Sequence, residues 1–256
     1  TKSKPGFCRP HGPLERSDQH IEGRVAARLD PAHRAGVGAA RFGLEAAESQ
    51  YLAGSFAAAE RHFEQLLARA ATPLDEAQVH SLRIVLYENQ SRYRDAIASA
   101  RAGLALFGIT FPALEEDADA RVDTEIETIR TLVGGRPIAA LVDLPVTADV
   151  TVRTITRMLT SMWSVAYIGG QPSTARLISA TLVRLALEHG LTEDSAYGCV
   201  THALTIGPVK RDYVAAYEWG ALALRLNARF DDAKRRAKIH QQFHAHVKLW
   251  RRPFAP

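Results

Sequence analysis

The chain has 256 residues, 46% of them hydrophobic, with a net charge of +4 and a pI near 9.2. That is enough apolar material for a sizeable core and excludes wholesale disorder. Residues 1–38 hold seven Lys/Arg against four Asp/Glu, residues 225–256 nine against two, and the stretch between sums to −6, which excludes one continuous basic face for tracking nucleic-acid phosphates.

Cys8 and Cys199 are the only cysteines. One lies in a Pro/Gly-rich stretch and the other in an apolar helical pattern, so no disulfide framework is expected and the compartment reads as reducing and cytoplasmic. No apolar run of about eighteen residues is present for a membrane span, and the N-terminus lacks the apolar centre of a secretion signal.

In chain order, residues 1–38 carry four prolines and five glycines among scattered charges and read as a disordered or atypical leader. From Ala39 the pattern turns helical. Leu44, Ala47 and Tyr51 form one stripe; Phe56, Ala59, Phe63, Leu66 and Leu67 form the next, with Gly54 as the turn between them. A second pair is predicted over about Asp75–Gln90 and Tyr93–Phe107, with Leu82, Val85, Leu86, Ile97 and Leu104 on its buried face and Pro112 beyond its end. Glu115–Val133 predicts an acidic amphipathic helix stopped by Gly134-Gly135. Further helices are expected near 150–168, 173–189, 194–207, 213–229 and 232–249, about ten in all, with no strand.

A cassette recurs along this series. Gly54, Phe56, Ala59 and Phe63 are matched 37 positions later by Ser91, Tyr93, Ala96 and Ala100, and more loosely by Asp212, Tyr213, Ala216 and Gly220. An aromatic opening a helix, followed by small residues one and two turns on, lets a neighbouring helix approach closely. The predicted fold is therefore all-α, a right-handed superhelix of antiparallel helix pairs, or TPR-like α-solenoid, over residues 39–256, truncated at its C-terminal end where Trp250 asks for a neighbour to bury it.

Chemistry is sparse. No glycine-rich loop ends in Gly-Lys-Ser/Thr, and no protein-kinase loops occur. His240 and His244 share a helix face at zinc-clamping spacing with His246 nearby, but Gln241 stands where a zinc protease needs a glutamate base. The basic run Lys234, Arg235, Arg236 and Lys238, followed by Lys248, Arg251 and Arg252, reads as a solvated face, with an acidic partner or nucleic acid as the other reading. The aromatics Tyr51, Phe56, Tyr87, Tyr93, Trp163, Tyr167, Tyr197, Tyr213, Tyr217 and Trp219 read as core, with a peptide-binding face as the other reading. No catalytic residue, cofactor or metal is expected.

Several segments carry a resemblance: Leu82-Arg-Ile-Val-Leu-Tyr87, Ser91-Arg-Tyr-Arg-Asp-Ala-Ile97, Gly103-Leu-Ala-Leu-Phe-Gly-Ile109, Gly134-Gly-Arg-Pro-Ile138 with Leu141, Asp143, Leu144 and Pro145, and the closing Trp250-Arg-Arg-Pro253. Over about residues 40–256 the chain resembles the tetratricopeptide-like middle region of very large bacterial signalling proteins. These join a serine/threonine-kinase-like domain, a predicted ATPase, a helical-repeat region, a GAF sensor and a histidine kinase. The resemblance implies a cytoplasmic role in two-component-type signal transduction, with neighbouring domains or signalling proteins as partners. It carries over no catalytic residue, because the ATPase and kinase motifs have no counterparts here. The expected function is a non-enzymatic interaction and regulatory segment, binding neither nucleic acid nor membrane; the alternative is a free-standing adaptor that takes a peptide or effector on a concave face.

Overall fold

The computed structural model describes residues 43–250, so the leader, the predicted start of the helical region at 39–42 and the closing Arg251–Pro256 lie outside the described residues. Among the described residues the chain is all-α, with no strand and a single isolated parallel bridge between Val146 and Leu191. The helices are α1 over 43–52, α2 Phe56–Arg69, α3 Pro73–Asn89, α4 Tyr93–Ala105, α5 Glu115–Val133, α6 Val150–Ile168, α7 Pro172–His189, α8 Ser195–Ile206, α9 Tyr213–Phe230 and α10 Ala233–Gln242. A 3-10 turn over Ile138–Asp143 precedes α6. The last helix, read from sequence as one element to 249, instead passes through a π-helical turn at Phe243–Val247 into a 3-10 turn at Lys248–Trp250.

Helix starts follow local side-chain chemistry. Thr72 and Asp75 form a reciprocal capping box at α3, with Pro73 in the first helical position where a missing N–H costs nothing. Asp149, Asp212 and Asp232 accept hydrogen bonds from the first-turn amides of α6, α9 and α10.

The reversals share one backbone geometry. Gly54, Ser91, Gly170, Arg211 and Asp231 all adopt left-handed φ, between +50° and +78°, and each stands two residues before the first residue of the next helix. In four of these turns the following amide reaches back five residues: Ser55 N to Gln50 O, Arg92 N to Tyr87 O, Gln171 N to Ala166 O and Asp232 N to Asn227 O, at 2.8–3.3 Å. This is the six-to-one bond of a Schellman stop, which satisfies a terminal carbonyl and folds the chain back on itself. Gly54 and Gly170 take this conformation without a Cβ penalty, whereas Ser91, Arg211 and Asp231 hold it at a cost.

Short reversals make α1/α2, α3/α4, α6/α7 and α8/α9 antiparallel neighbours. Helix α6 then rests on both α3 and α4, and α8 rests on α7, so each pair is laid against the one before. The small positions of the cassette sit at these contacts: Ala59, Ala96, Ala100 and Ala216 are buried, as is Phe63. A Cβ at Gly220 would stand 2.5 Å from the Phe243 ring. Tyr93 and Tyr213 are half-buried and Gly54 is at the surface, while Phe56 is exposed and packs at a tilt against Tyr51, 5.2 Å between ring centres. The sequence pattern missed two more close approaches. A Cβ at Gly103 would lie 2.2 Å from Met158 Cε, and one at Gly198 would lie 2.8 Å from Leu182 Cβ.

Two expectations are corrected. Val85 is exposed and Ile84 takes its place in the core, because the stripe of α3 facing α4 and α6 is rotated by one residue from the one the sequence spacing predicts. Helix α5 belongs to no sequence-adjacent pair; it lies along α7. Its pairs ascend together along both helices: Glu115 with Ser173 and Thr174, Asp119 with Arg176, Glu125 with Arg184. The two helices therefore run parallel. After α5, the 3-10 turn packs on α9, where Arg225 donates to Ala139 O and Arg229 to Val142 O and Leu144 O. Pro145 O then accepts from Leu191 N at 2.8 Å before the chain enters α6. Residues 106–149 thus form a strap across α7 and α9.

Two substitutions test this packing in opposite directions. Ala96→Trp, at a fully buried contact, is expected to destabilise by about 1–3 kcal/mol through overpacking. Ser91→Gly, which relieves a left-handed serine, is expected to stabilise by about 0.5–1 kcal/mol. Urea unfolding of both variants checks the pair of signs.

Candidate binding groove

A groove of about 590 Å³ opens between α6, the first half of α7, α8 and α10 with its following turns. Trp163 and Tyr167, one helical turn apart on α6, stack at 5.1 Å with their planes 7° apart. Trp163 Nε1 donates to Ser179 Oγ at 2.8 Å, and the ring meets the edge of Tyr197 at 5.5 Å, so the indole is held in one orientation. Lys238 lies over the Tyr197 ring at 5.0 Å and donates to Ser164 Oγ at 2.8 Å.

The lip is apolar and exposed. Tyr167 and Trp250 are each 62% accessible, and Ile168 and Val209 are also exposed. Trp250 stacks on Tyr213 at 5.7 Å, which gives it one covered face and one open face. Tyr167 thus departs from its reading as core: it stands on the last turn of α6, where Gly169-Gly170 ends the helix before a neighbour can cover it.

The charged side chains lining the groove are basic. Arg176 is held by Asp119 and Ser173 Oγ, each at 2.8 Å, and Lys238 completes the set; no carboxylate lines the groove. Glu88 of α3 is close enough to Lys238 to feel its charge, but burial outweighs that attraction and raises the Glu88 pKa. Two buried polar atoms near the aromatic floor, the Tyr197 hydroxyl and Gln242 Oε1, have no hydrogen-bond partner within the protein. An apolar lip around a few fixed polar groups suits recognition.

The basic run does not behave as a uniformly solvated face. Arg235 forms an ion pair at 2.7 Å with Asp194, whose side chain is almost fully buried. Burial pushes the Asp194 carboxyl above its ordinary pKa, and Arg235 opposes that shift. His240 and His244 are exposed and stack at 5.8 Å. Among the described residues no group of three His, Cys, Asp or Glu is placed to hold a metal. No described helix is long and apolar enough to cross a membrane.

Helix α8 contributes Thr201, Leu204 and Thr205 to the groove and turns another face, bearing His202, into the interior. His202 meets Trp219 edge-on at 5.3 Å, and burial drives its pKa down to about 3. Cys199 on the same helix is buried, and its thiol pKa is pushed up to about 12, which makes it unreactive. Neither buried role has a periodic or motif signal in the sequence. The chain matches no known family model, and no curated protein or solved structure shows significant similarity to it.

The His202 shift sets a pH dependence. An unfolded histidine titrates near 6.5 and the folded one near 3, so below pH 6.5 the unfolded chain binds the extra proton and stability falls with acidity. His80, lowered by burial, acts in the same direction. Between pH 7 and pH 5 the wild-type chain is expected to lose about 2 kcal/mol more stability than His202→Leu. Denaturant titrations at the two pH values measure this difference.

Proposed function

We propose that the chain is a non-catalytic helical-repeat interaction segment whose groove receives an acidic peptide bearing an aromatic or large aliphatic anchor. The observation that carries this reading is the groove itself. Exposed Tyr167, Ile168, Val209 and Trp250 surround a lining whose charged side chains, Arg176 and Lys238, are both basic. An apolar anchor displaces water from the aromatic lip, and flanking carboxylates complement the basic lining.

The finer architecture belongs to the same proposal. The common reversal geometry and the stacking of successive pairs favour a tetratricopeptide-like solenoid, a right-handed superhelix with the groove along its inner side. The setting suggested by the sequence resemblance is a cytoplasmic signalling polypeptide of the two-component type. In it, this segment couples ATPase or sensor modules to an output kinase by binding one of their acidic segments.

The test is fluorescence anisotropy with two labelled peptides of equal length, each carrying a central tryptophan, one flanked by glutamates and one by lysines. The acidic peptide is expected to bind and the basic one not. Lys238→Glu should weaken binding at least tenfold, roughly 1.4 kcal/mol, and Tyr167→Ala should weaken it without changing the melting temperature. Equal binding of both peptides, or binding insensitive to both substitutions, overturns the reading.

A further inference from the structure

A second cavity, of about 170 Å³, lies on another face of α8. Its walls are Ile126, Ile129 and Val133 of α5, Ile206 and His202 of α8, and Trp219 of α9. The His202 and Ile206 positions are roughly 120° around the helix from those facing the groove, so the two recesses share α8 without sharing a lining residue. Charged side chains at the rim are already engaged: Arg130 Nη1 donates to Glu127 at 2.5 Å, and Asp212 accepts from Ala215 N at 2.9 Å. Among these walls the buried polar side chain is His202, whose Nδ1 is hydrogen-bonded to no protein group.

We infer that this cavity is a binding site for a small neutral aromatic molecule carrying one hydroxyl group, a phenol-class ligand hydrogen-bonded to His202. Size supports the ring, since an apolar cavity of about 150 Å³ is enough to take benzene. Chemistry supports the hydroxyl. A neutral imidazole presents Nδ1 as donor or acceptor depending on its tautomer, and a hydroxyl satisfies either. Charged ligands are disfavoured, because the deep walls are apolar, the rim charges Arg130 and Asp212 are of opposite sign and already engaged, and burying an unpaired charge is costly. The Trp219 indole, edge-on to His202, gives the ring an aromatic neighbour.

Ligand-detected NMR titrations of phenol and benzene against the full chain at pH 7 test the assignment. Phenol is expected to bind at least tenfold more tightly than benzene. His202→Leu should bring phenol to the benzene level while benzene binding persists. Ala215→Phe, at the half-buried rim, should abolish both and leave the acidic-peptide titration of the groove unchanged. The wild-type ratio keeps the test decisive even where a variant fails to fold. Equal affinity for the two ligands, or no binding of either to the folded chain, overturns the inference.

Discussion

The fold depends on the parallel contact between α5 and α7. Helix α7 is covered along its length by α5, α6 and α8, and twelve of its eighteen residues are buried. Only a long excursion of the chain can place a third helix along it, parallel to it. Ala118, Val122, Ile126 and Ile129 supply the apolar seam, each large side chain contributing on the order of 1.5–3 kcal/mol by leaving water. The ion pairs along the seam are mostly half-exposed and individually worth little; Arg184 with Glu125 is the most enclosed, at 24% and 12% exposure. Burial therefore drives the docking, while the carboxylates fix direction and register. The Glu115 carboxylate, on the Ser173 and Thr174 amides, does both, because it occupies the positive end of α7. Parallel helices place like dipole ends side by side, and this carboxylate offsets that arrangement at one end.

From that contact the remaining geometry follows. With α7 enclosed, α6 and α8 are held at its flanks and their outer faces, with α10, define the groove. The strap that began as α5 continues over α9 through Arg225 and Arg229, and so closes the wall in front of His202. A single insertion between the second and third pairs thereby shapes both recesses, although it contributes side chains to one.

Much of the helical layout was legible. Gly134-Gly135, Pro172 and the aspartates at 149, 212 and 232 mark boundaries by backbone rules that act within a few residues, and α5 falls where its acidic stripe predicts. The partner of α5 was not legible, because a stripe such as Val122, Ile126 and Ile129 announces that a face is buried without saying against what. The exposure of Tyr167 escaped for a related reason. Its spacing from Trp163 places both on one face, but only the neighbouring helices determine where that face stops being covered. Ile84 replaced Val85 because two adjacent apolar residues fit the same helical period within the uncertainty of a crossing angle. His202 carried no signal, since one histidine in a run as apolar as Ser195–Ile206 has no partner in sequence to give it meaning.

The shared reversal has its own consequence. A left-handed residue followed by one that returns to negative φ turns the chain back without enlisting any side chain from elsewhere, so each hairpin carries its own instructions. Units built this way can be duplicated, deleted or exchanged whole, with refitting needed only at the two surfaces exposed by the cut. The strap is the exception: it ties α7 to α9, and the helices from α5 to α9 must be inherited as one block.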